Sequence, residues 1–97
     1  MNLVAFLKEW EFQESEYYKV IDGKIYRNVQ AGLIEEKNMR TTRKVGPYRI
    51  IAQHFDCALP YTNYYLIFED SIYKATLHPQ WVPDALNTMV AQLKEII

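Results

Sequence analysis

Two hydrophobic periods run through this chain and divide its ends from its middle. Near the start, Leu3, Phe6, Leu7 and Trp10 fall at i, i+3, i+4 and i+7, one stripe of an α-helix. Asn2 stands where an N-cap belongs, and the helix is expected to fray between Phe12 and Glu16. Residues 83–97 repeat the stripe through Leu86, Met89, Val90, Leu93 and Ile97. Pro83 suits a first helical turn and Asp84 a helix N-terminus. Trp81 and Val82 are expected to seal that end against a sheet, and His78-Pro79 to end the strand before it.

Between these helices the period is two. The run Asn63–Leu77 reads as a hairpin turning at Glu69-Asp70-Ser71-Ile72. Pairing Phe68 with Tyr73, Leu66 with Ala75 and Tyr64 with Leu77 puts all six on one apolar or aromatic face. Tyr65, Ile67, Glu69, Ile72, Lys74 and Thr76 take the other. A slip of one residue would set Lys74 opposite Leu66, so the parity is strongly specified. Tyr17–Val29 reads as a second hairpin, because Asp22-Gly23 suits a type I′ turn with positive φ at both central residues. Tyr18, Val20, Ile25 and Val29 then form a core face, and Tyr17, Lys19, Ile21, Lys24 and Tyr26 the opposite one. Tyr48–Phe55 is a further strand. Its Ile50-Ile51 pair offers a core on either parity, and the sequence leaves both open.

Residues 30–46 follow neither period. Gly32 interrupts the pattern, and Leu33-Ile34 is a short apolar pair. Lys37–Val45 reads as a polar loop closed by a turn at Gly46-Pro47. A loop of that length in a small domain is often functional.

Together these elements predict one α+β domain over residues 1–97. An antiparallel sheet of about five strands carries the N-terminal and C-terminal helices on one face. The two helical stripes suffice to cover the Tyr64–Leu77 face. The other face, with Tyr17, Ile21, Tyr26, Tyr65 and Ile67, is left as a mixed aromatic surface.

Charge sharpens one region. Lys37, Arg40, Arg43, Lys44 and Arg49 fall in a stretch, 37–55, that contains no acid. The first sixteen residues set Lys8 against Glu9, Glu11, Glu14 and Glu16. The overall balance of −1 argues against a general nucleic-acid binder. The eight tyrosines suit half-exposed sheet faces and binding surfaces alike. Cys57 is the only cysteine, so no intramolecular disulfide can form, and a reducing, cytoplasmic setting is expected. The first ten residues lack the pattern of a signal peptide. No run approaches the roughly 20 apolar residues that span a bilayer, and no membrane partner is expected.

Motifs for chemistry are sparse. The three glycines are spaced too widely for a phosphate-cradling loop. Asp22-x-Lys24 matches half of a PD-(D/E)xK nuclease pattern, but no Pro-Asp precedes it and the hairpin turn accounts for both residues. His54, Asp56, Cys57 and His78 offer metal ligands or a Cys–His pair without a recognised spacing. No cofactor, metal or catalytic residue is therefore assigned.

The leading expectation is a small protein-binding module, an inhibitor or regulator of a larger protein. It would act through the basic segment Lys37, Arg40, Arg43, Lys44 and Arg49 and the aromatic face Tyr17, Tyr26, Tyr65 and Ile67, with a homodimer as one form of partner. The alternative is a nucleic-acid or phosphate-ligand binder using residues 37–49. A small hydrolase or nuclease built around His54 comes third.

Overall fold

A computed structural model describes residues 1–78 and 84–97. Pro79, Trp81, Val82 and Pro83, expected to end a strand and begin the second helix, lie outside the described residues. In chain order the elements are α1 (Leu3–Glu9), β1 (Gln13–Glu14), β2 (Tyr18–Ile21), β3 (Lys24–Val29), β4 (Gly32–Glu35), β5 (Arg43–Val45), β6 (Tyr48–Phe55), β7 (Tyr61–Phe68), β8 (Ser71–Leu77) and α2 (Ala85–Ile96).

The strands form two antiparallel sheets. The main sheet has the order β1-β8-β7-β6-β5, and a smaller one has the order β2-β3-β4. The five-stranded sheet thus has a different membership from the expected one. The Tyr17–Val29 hairpin does not join it. It is completed instead by two short edge strands, β1 and β5, the latter formed by the basic stretch read as loop. The pair Leu33-Ile34 becomes β4, paired with β3 through Asn28↔Leu33 and Arg27↔Ile34.

Local chemistry explains most of these elements. Asn2 Oδ1 accepts from the Ala5 N–H at 2.9 Å and caps α1. Asp22 and Gly23 both have positive φ (50° and 78°), and Val20 faces Ile25 and Tyr18 faces Arg27 as the type I′ turn requires. The β7–β8 hairpin turns on two residues, Glu69 and Asp70. Leu66 therefore faces Tyr73 and Tyr64 faces Ala75, a shift of two from the expected pairing. A shift of two preserves parity, so the two faces are those expected.

The main sheet is covered on both sides. On one, Phe6 and Trp10 of the N-terminal segment and Met89, Val90 and Leu93 of α2 pack on Ile50, Leu66, Ala75 and Leu77. Trp10 Nε1 donates to Gln92 Oε1 at 2.6 Å and joins the end of α1 to α2. On the other, Val20 and Ile25 of the small sheet pack with Met39 on Ile51, Tyr65, Ile67 and Ile72. Both parities of β6 are thus core: Ile50 faces the helices and Ile51 the small sheet.

Hydrophobic burial decides this arrangement. Each such side chain contributes about 1.5–3 kcal/mol when buried. The small sheet's inner face and the main sheet's outer face would both be wet if all strands lay side by side. One polar tie at the contact is Arg49 Nη2 donating to the Gly23 carbonyl at 3.2 Å.

Candidate functional site

The small sheet divides the expected aromatic face in two. Tyr65 and Ile67 are each 2% exposed and lie beneath it. They are core residues rather than surface, because the small sheet covers the face that was expected to be open. Tyr65 meets Tyr18 edge-on, with ring centroids 5.4 Å apart. Its phenol is pushed up to about 12, chiefly by burial and further by the neighbouring Tyr18.

Tyr17 and Tyr26 remain at the surface, on the small sheet itself. Side chains alternate along each strand. Lys19, Ile21, Lys24, Tyr26, Asn28, Leu33 and Glu35 therefore share the side facing away from the main sheet. The register puts Tyr26 between Lys19 on β2 and Glu35 on β4. Ile21 and Leu33 are its diagonal neighbours, within reach of a long side chain. Tyr26 is half-buried, while Ile21 and Leu33 are exposed at 42% and 45%. Tyr17 precedes β2 and sets its ring edge-on to Tyr18, with centroids 4.9 Å apart. Leu33, missed as a site residue, carries a sequence signal only in retrospect: an apolar pair directly after a glycine.

The basic residues do not form one patch. Arg43 lies across from Ile50, on the helix side, and its Nη2 donates to Asn87 Oδ1 of α2 at 2.8 Å. Lys44 lies across from Arg49, so both take the side of the small sheet. Arg49 is held by the Gly23 carbonyl. Lys37, Lys24 and Arg49 line a hollow of about 240 Å³ together with Glu35 and Glu36, so that spot is of mixed charge. Arg40 is exposed. The segment that carries these residues is anchored rather than loose. Met39 is buried between the sheets, and the Ala52 N–H donates to Thr42 Oγ1 at 2.9 Å.

The remaining candidates stay apart. His54 is exposed, with Nδ1 3.0 Å from Thr62 Oγ1 across the β6–β7 ladder. His78 Nδ1 lies 3.3 Å from the Pro60 carbonyl. Cys57 is exposed, its thiol donating to the Leu59 carbonyl at 3.3 Å. Among the described residues, no three His, Cys, Asp or Glu are arranged to hold a metal ion. Asp22 and Lys24 flank the tip of the β2–β3 turn, as the hairpin reading requires. Among the described residues no helix is long and apolar enough to cross a membrane.

Comparison of the chain with protein-family models, with curated proteins and with solved structures finds no match.

Proposed function

We propose that this protein is a protein-binding module, a regulator or inhibitor of a larger protein, that docks through the outer face of its small sheet. The observation carrying this reading is the arrangement around Tyr26. Tyr26 stands between Lys19 and Glu35 in the register, with the exposed Ile21 and Leu33 on its diagonals. Tyrosine is among the residue types enriched in interface cores and hot spots. The sheet is backed by a packed core, so the surface is presented with little flexibility to lose on binding. A reducing, cytoplasmic setting suits the free, exposed Cys57.

The test is capture from an extract of the source cells, with nuclease added. The wild-type chain is expected to retain a discrete protein that the Tyr26→Ser, Leu33→Ser double variant does not. Equal retention by both would remove the outer face from consideration. The solution mass of the free chain, by sedimentation, tells a second copy from a foreign partner. A dimer that the same double variant dissociates would assign the face to self-association.

A further inference from the structure

Beside the outer face, along β2, the molecule has a groove of about 650 Å³. One wall is β2. The other is the end of β1, the segment after it and the tip of the β7–β8 hairpin, carrying Glu14, Glu16 and Asp70. The backbone of β2 is what makes this more than an acidic surface. In an antiparallel ladder, bonded and non-bonded pairs alternate. The Asn28 N–H donates to the Tyr17 carbonyl at 2.7 Å, and the Ile25 carbonyl is taken by the Glu36 N–H on the β4 side. Tyr18 and Val20 therefore turn their backbone groups away from β3, toward the groove. The Tyr18 N–H is met by Ser15 Oγ at 3.3 Å. The Tyr18 carbonyl and both backbone groups of Val20 have no hydrogen-bond partner among the described residues.

We infer that this groove takes an extended, cationic peptide segment of another protein, added as a fourth strand along β2. Two acceptors and one donor in sequence form the template that strand addition uses. The two edges of the main sheet differ. β1 is two residues long and β5 carries Arg43 and Lys44, both ordinary ways of discouraging pairing. The sign of the charge follows from the wall. Glu14, Glu16 and Asp70 face Lys19 alone, and none of the three carboxylates has an ion-pair partner among the described residues. A peptide with lysine or arginine at alternate positions would satisfy the carboxylates and the strand edge together. This site does not depend on the outer-face reading, and either can fail alone.

The probe is a fluorescein-labelled heptapeptide of alternating lysine and valine. A lysine–proline peptide of equal charge, which cannot lie as a strand, is its control. At low salt the lysine–valine peptide is expected to bind at least tenfold tighter than the control. The Glu14→Gln, Glu16→Gln, Asp70→Asn triple variant should weaken it at least tenfold. In amide spectra the largest shifts are expected at Val20 and its neighbours, not at Tyr26. The Tyr26→Ser, Leu33→Ser variant should bind the peptide as wild type does. Equal affinity for the two peptides, an unaffected triple variant, or shifts centred away from β2 would each overturn the inference.

Discussion

Gly46 shows how one residue joins a turn to a terminus. It has φ +56°, and a β-carbon there would sit 2.6 Å from Ile97 Cδ1. The left-handed backbone alone costs a non-glycine residue about 1–2 kcal/mol. Gly46→Ala is expected to destabilise the fold by about that amount in urea titrations. Adding Ile97→Ala should restore only the small steric part, since the Ile97 side chain is an exposed, movable neighbour. Full recovery in the double variant would mean that sterics, not the backbone, set the cost. Tyr65 makes a second case. An unfolded chain gives up its phenolic proton near pH 10, whereas the folded one holds it to about 12. Stability from this group is complete below pH 10 and declines as the pH rises toward 12, because unfolding releases a proton across that window. The stability of wild type relative to Tyr65→Phe should therefore fall between pH 10 and 12. A difference that stays level across that range would contradict the burial of this hydroxyl.

At the level of elements, the parts with strong local chemistry were legible in the sequence. Asp22-Gly23, the Asn2 cap and the parity of Asn63–Leu77 each follow from a turn, a cap or an alternation. The layering did not follow, because alternation says which side of a strand is apolar but not which sheet the strand joins. The clue was present in Ile50-Ile51 and in the apolar outer set Tyr65, Ile67 and Ile72, since burial on both faces removes alternation. The strands β4 and β5 are too short, at four and three residues, to show a period. The proposed docking face was half legible. Tyr17 and Tyr26 were placed on a surface, while Tyr65 and Ile67 went to the core once a second sheet lay over them. Ile67 tests the layering directly. Ile67→Ala should cost about 2–5 kcal/mol, the usual range for emptying a packed core position. A loss under about 1 kcal/mol would mean that this face of the main sheet is open to water.

Seen whole, the molecule is a main sheet with helices on one side and a small sheet on the other. Each layer completes the burial of the next. The helices and the main sheet close a core around Phe6, Ile50, Leu66, Met89 and Leu93. The small sheet closes a second core with one side and leaves the other, with Ile21 and Leu33, exposed. That division explains why the basic residues are dispersed: Arg43 and Arg49 tie layers together rather than gather into a patch. With the captured partner in hand, its affinity for the Tyr26→Ser, Leu33→Ser variant is the most direct measurement. A hot-spot pair is expected to cost 2 kcal/mol or more, roughly a 30-fold loss, while Lys37→Ser with Arg40→Ser stays within about threefold. A partner that binds the Tyr26 and Leu33 variant as tightly as the wild type would contradict docking through the small sheet.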